Sequence, residues 1–152
     1  MGEQTLMEQV LDFAIGEEIA AAEFYTSMAA QAKTTAMREV FEGFAREEKG
    51  HKAKLEAIKL GGKFEPAGKQ PVDLKIADYI VDVTPSPDLD YRGALVVAMK
   101  KEKAAFKLYS DLAASAPNEA LKNTFLMLAH EEANHKLRFE IEYDDLLAEA
   151  EN

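Results

Sequence analysis

Residues 44–51 read FAREEKGH and residues 128–135 read LAHEEANH. Each stretch ends in Glu-x-x-His, pairing Glu48 with His51 and Glu132 with His135. Thirty residues before each of these glutamates stands another, Glu18 in the first half and Glu102 in the second. The whole set recurs 84 positions along, 18 to 102, 48 to 132 and 51 to 135. A Glu and a His three apart on a helix share a face and project together. Four carboxylates and two imidazoles at matched spacings are the donor set of a two-metal site inside a helical bundle. A single Glu-x-x-His would mean little in so Glu-rich a chain, where most such groups are solvated. Two of them, each with its own upstream Glu and together using two of the three histidines, carry the assignment.

The repeat extends well beyond the charged positions. Residues 13–56 overlie 97–140, matching at Ala14/Ala98, Tyr25/Tyr109, Ala29/Ala113, Phe41/Phe125, Ala45/Ala129, Glu47/Glu131 and Glu56/Glu140. Both halves carry the helical period. Two amphipathic segments fill 3–60, broken near 33–35, and the second is stopped by the Gly61-Gly62 pair. Residues 91–116 and 118–150 form two more, separated at Pro117. Residues 61–90 hold four of the five prolines and one short amphipathic piece, 74–81. The repeating unit is therefore a helix–turn–helix pair, and two such pairs bury their apolar stripes against each other. The expected fold is all-α: one domain over 1–152, a four-helix bundle of two repeated helix pairs (about 3–60 and 91–150). A long crossover, about 61–90, joins them and carries a short helix.

In such a bundle Glu48 and His51 would hold one ion, and Glu132 and His135 another. Glu18 and Glu102 would each add a terminal carboxylate, with Glu48 and Glu132 as bridges. Mixed nitrogen and oxygen donors suit iron or manganese, with zinc as a substitute. Four carboxylates balance two divalent cations. Tyr25 and Tyr109 each lie seven residues after a ligand glutamate, on the same face. They are expected beside the ligands, as groups that hydrogen-bond a ligand carboxylate or water or pass an electron, or as core aromatics. Glu47 and Glu131 adjoin the ligands, would form Glu-x-x-x-His pairs instead, and are runners-up as ligands or outer partners of them. His130 pairs with Arg46 in the repeat and is expected at or near the surface; Glu17 and Glu23 are expected in solvent. Phe41, Phe125, Met28, Met37, Met99 and Met127 are expected in the core. Ala20, Ala21, Ala29, Ala104, Ala105 and Ala113 are expected to let the helices approach and leave room for metal.

Composition narrows the chemistry. The 152 residues include 47% apolar residues, enough for a core without staples. There is no cysteine, which excludes disulfides, thiolate metal sites, iron–sulfur clusters and a cysteine nucleophile. A net charge of −10 argues against nucleic-acid binding. No apolar run approaches the length of a membrane span, and no leader-like segment opens the chain. A soluble, cytoplasmic protein is expected.

These residues resemble the rubrerythrin branch of the ferritin-like superfamily. The resemblance covers nearly the whole chain and rests on Glu18 with Tyr25, FAREEKGH, Glu102 with Tyr109, and LAHEEANH. It implies a ferritin-like bundle, commonly a homodimer, with two iron ions on Glu18, Glu48, His51, Glu102, Glu132 and His135. It also implies reduction of hydrogen peroxide at that di-iron centre. Two departures stand out. Typical members append a rubredoxin domain whose iron is held by cysteines; here electrons would have to come from a separate donor protein such as a rubredoxin. Peroxidase members tend to carry an extra Glu one turn past the third-helix ligand, where this chain has Ala105, and that bears on peroxide turnover. Two other functions fit the same residues: a ferroxidase or iron-handling protein that oxidises Fe(II) with oxygen, and a non-enzymatic metal-binding bundle.

Overall fold

The computed structural model of the protein describes residues 6–61, 76–81 and 90–151. It is all-α: α1 (Leu6–Gln31), α2 (Thr35–Gly61), α3 (Tyr91–Ala114) and α4 (Glu119–Glu151), with a 3-10 turn at Ile76–Tyr79. The four long helices are those expected, within two residues at the ends inside the described part. The 3-10 turn falls in the short amphipathic piece; residues 74–75 of that piece, and most of the crossover, lie outside the described residues. The chain divides into two compact units, Met1–Glu65 and Pro66–Asn152, each built on one helix pair.

The first unit is an antiparallel hairpin, as the pairs Asp12 with Lys59 and Glu18 with His51 require. Its short turn is closed locally. The Thr34 hydroxyl accepts from Met37 N at 3.1 Å, satisfying an amide in the first turn of α2. In the second unit Asn118 does the same for α4, its Oδ1 accepting from Leu121 N at 2.8 Å. Thr34 and Asn118 are 84 positions apart. So are the bonds that close the preceding helices, Ala32 N to Ala29 O and Ala116 N to Ala113 O, both 3.3 Å. The duplication is thus visible in the backbone of the turns, although positions 33–35 and 117–119 share no identity. At the start of α3, Asp90 caps Gly93 N at 2.7 Å.

Each helix buries a single stripe at three- and four-residue steps. On α2 it runs Met37, Phe41, Ala45, Glu48, His51, Leu55. On α3 it includes Leu95, Ala98, Glu102, Tyr109 and Leu112. Charged side chains therefore occupy the middle of stripes that are otherwise apolar. Phe41 and Phe125 are fully buried, with Met28 and Met37. Met99 is half-buried, and Met127, expected in the core, is 38% exposed. Ala20, expected at a helix contact, is also exposed. At 100° per residue, Met127 lies about 200° from Phe125 and Ala20 about 200° from Glu18, on the far side of each helix. Ala29 and Ala113 are buried, and Ala21, Ala104 and Ala105 are half-buried.

The 3-10 turn is fastened to α3. Tyr79 is buried and its hydroxyl donates to Asp111 Oδ2 at 2.8 Å. Lys107 reaches the same oxygen at 2.9 Å and lies 5.1 Å from the Tyr79 ring centroid. The arrangement combines a charge-assisted bond with a cation–π contact.

Two stability predictions arise here. A Cβ added at Gly16 or Gly50 meets nothing within 4 Å. Both sit inside helices, where Gly is about 0.8–1.0 kcal/mol worse than Ala. The Gly16→Ala/Gly50→Ala double variant should therefore gain about 1–2 kcal/mol in urea unfolding, with an unchanged m-value. The second concerns Glu142, whose pKa is raised by burial and then by Asp145, with Arg138 opposing. A folded pKa above the unfolded one means that stability from this group is present at acid pH and lost as pH rises through the raised value. Glu142→Gln should raise the melting temperature at pH 7 and make no difference near pH 4.

Candidate metal centre

In the first unit, α1 presents Glu18 and α2 presents Glu48 and His51. His51 Nδ1 lies 3.4 Å from Glu18 Oε2 and 3.7 Å from Glu48 Oε1. In the second unit, α3 presents Glu102 and α4 presents Glu132 and His135. His135 Nδ1 lies 3.7 Å from Glu102 Oε1 and 3.8 Å from Glu132 Oε1. Within each set the three donor atoms are all within 4.8 Å of one another. All six side chains are buried, none more than 3% exposed. The sequence could not say which imidazole nitrogen faces the carboxylates; in both units it is Nδ1.

The spacing fits a cation. Two donors each about 2.1 Å from one ion, at angles of 90–130°, stand roughly 3.0–3.8 Å apart. That is the range of the four distances, which are longer than direct hydrogen bonds. Charge leads to the same reading. Each set has two carboxylates and one imidazole, so even with the ring protonated one negative charge remains in a buried place. Leaving such a charge uncompensated costs several kcal/mol, and a divalent ion compensates it. One imidazole and two carboxylates are donors that iron, manganese and zinc all accept.

The neighbouring groups sort clearly. Tyr25 and Tyr109 are fully buried. Tyr25 makes edge contacts with Phe24 (6.0 Å between centroids) and Phe44 (6.3 Å). The repeat has Leu108 and Leu128 at the positions of Phe24 and Phe44. His130, Arg46, Glu47 and Glu23 are exposed, and Glu17 and Glu131 are half-exposed. The exposed position of Glu47 places it outside the buried set, whereas it was expected as a runner-up ligand or outer partner. One residue reaches a place that sequence reasoning passed over. The position four after each ligand glutamate is Ala22 in α1 but Phe106 in α3, a mismatch in the repeat whose consequence is taken up below.

The fold and the site define an all-α protein with a duplicated carboxylate–imidazole set. The rubrerythrin family model matches residues 9–80 and 94–151, most of the chain, and the chain belongs to that family. Among solved structures, a hypothetical protein from Pyrococcus furiosus is similar at 29% identity. The match covers 93% of this chain and 90% of that one, with a TM-score of 0.73. Comparison with curated proteins gives no match. Among the described residues no helix is long and apolar enough to cross a membrane.

Proposed function

We propose that the protein is a non-haem di-iron oxidoreductase that reduces hydrogen peroxide to water with electrons from a separate donor protein. The observation that carries this reading is the pair of buried Glu–Glu–His sets, each with its imidazole Nδ1 3.4–3.8 Å from two carboxylates. Membership of the rubrerythrin family supports iron as the metal. The reaction balances as one peroxide, two electrons and two protons giving two waters. Bound iron would supply the redox chemistry and Lewis acidity, one electron per ion and polarisation of the departing oxygens.

The chain's own residues supply the rest. Glu18, Glu48 and His51 would hold one ion, and Glu102, Glu132 and His135 the other. Their burial limits water around the donors, which strengthens electrostatic interactions there. Tyr25 and Tyr109, one helical face along from Glu18 and Glu102, are assigned to orient the ligands and to hold a proton. A rubredoxin-like partner protein delivers the electrons; none of these 152 residues is a cysteine that could bind a second iron. The protein acts in the cytoplasm, as a homodimer.

Ala105 favours one competing reading. Peroxidase members of the family tend to carry a glutamate there, so Ala105 counts against peroxide turnover and leaves Fe(II) oxidation by oxygen as the competing chemistry. Anaerobic stopped-flow separates the two. The Fe(II)-loaded protein is mixed with peroxide and, in parallel, with oxygen, and the near-ultraviolet ferric absorption is followed. Peroxide reduction requires the faster rise with peroxide; a faster rise with oxygen replaces it with ferroxidase chemistry.

A further inference from the structure

Both helix pairs carry a groove at repeat-equivalent positions. The groove between α1 and α2 has a volume of about 470 Å³ and is lined by Glu18, Ile19, Ala22, Thr26, Lys49 and Lys52, among others. The groove between α3 and α4 is about 380 Å³ and is lined by Lys103, Phe106, Ala133, Lys136, Leu137 and Glu140. Four of these lining positions correspond across the repeat: 19 with 103, 22 with 106, 49 with 133 and 52 with 136. Three of the four differ in residue, Ile19/Lys103, Ala22/Phe106 and Lys49/Ala133, and only Lys52/Lys136 is shared. Glu18 is among the residues lining the first groove, whereas Glu102 is not among those lining the second.

One of the substitutions between the grooves bears directly on the ligand glutamate. A helical side chain leans towards the N-terminus and covers the turn before its own Cα. Position 22 or 106 therefore sits over the ligand four residues earlier. At that position the first groove has the methyl of Ala22 in its wall and the second the ring of Phe106, 44% exposed. We infer that the α1–α2 groove is the access route by which small polar molecules of peroxide size reach the Glu18–Glu48–His51 set, and that Phe106 closes the matching route to Glu102. The purpose of the route rests on the metal-centre reading above. The route itself is a property of the helix pair. Its volume exceeds by more than tenfold the roughly 30 Å³ that one water takes in the liquid. Lys49, Lys52 and Glu23 give it a polar rim of mixed charge, and Thr26 adds a hydroxyl. The two halves of the duplicated site are therefore chemically alike and differ in access: exchange with solvent belongs to the first.

The absence of cysteine makes a metal-free test simple. Glu18→Cys and Glu102→Cys are made separately in the full chain, checked for helix content, and reacted with methyl methanethiosulfonate. Glu18→Cys should react at least tenfold faster than Glu102→Cys, whose rate reports background opening of the fold. Adding Ala22→Phe to Glu18→Cys should bring its rate down to that background. Adding Phe106→Ala to Glu102→Cys should raise its rate towards that of Glu18→Cys. Equal rates for the two single variants, or no slowing by Ala22→Phe, would overturn the inference. Because no metal is present, this result is independent of whether the loaded protein reduces peroxide.

Discussion

Loading the metal-free protein with Fe(II) or Co(II) should raise its melting temperature by about 8–16 °C. A ligand that binds only the native state stabilises it by RT ln(1 + [L]/Kd), about 4 kcal/mol at a thousand times Kd. For a chain of this size each kcal/mol moves the midpoint by about 2–4 °C. The magnitude is large because the folded chain already places three donors within 4.8 Å of one another in each unit. Little further ordering is needed to bind. Calorimetry with and without metal, followed by chelation, measures the shift and its reversal. The His51→Ala/His135→Ala variant should lose most of the shift while keeping its helices, since each imidazole is the only nitrogen donor in its set.

The second large effect changes sign with the metal. Glu48→Gln should stabilise the metal-free protein by roughly 1–3 kcal/mol and destabilise the loaded one. Glu48 is fully buried, in a set where two carboxylates face one imidazole. Without metal, Glu18 and Glu48 bring two carboxylates to one imidazole. The amide keeps the shape of the Glu48 side chain and removes its charge, leaving Glu18 and His51 as a balanced pair. In the loaded protein the same change removes an anionic donor and weakens binding. Glu132→Gln should behave likewise in the second unit. Urea unfolding of each variant with and without metal would reveal the crossing. A loss of stability in both states would mean that Glu48 serves the fold rather than an ion.

The residues that carry the chemistry were legible because two regularities coincide on them. Helical period places Glu18, Glu48, Glu102 and Glu132 at the centre of apolar stripes, and the 84-residue repeat states the pattern twice. Either alone would have left them among the many acidic residues of the chain. The helix ends were legible where Gly or Pro marks them. The caps at Thr34 and Asn118 were less so, because two different residues perform one task.

What the sequence did not disclose depends on side-chain direction and on contacts far along the chain. The presentation of Nδ1 is a rotamer choice. The Tyr79–Asp111 bond joins residues 32 apart through a segment with no repeat partner. Met127 and Ala20 were misplaced because residue type was weighed above angular position on the helix. The difference between Ala22 and Phe106 was printed in the sequence, yet its meaning requires knowing that position 22 overlies Glu18.

The most direct test of the account is metal stoichiometry. Anaerobic equilibrium dialysis against Fe(II), with metal and protein both quantified, should give two ions per chain. The count should fall to one in either His51→Ala or His135→Ala, and to none when both are changed. A wild-type count well below two, or a count that ignores both histidines, would contradict the assignment of Glu18, Glu48, His51, Glu102, Glu132 and His135 as a two-metal donor set.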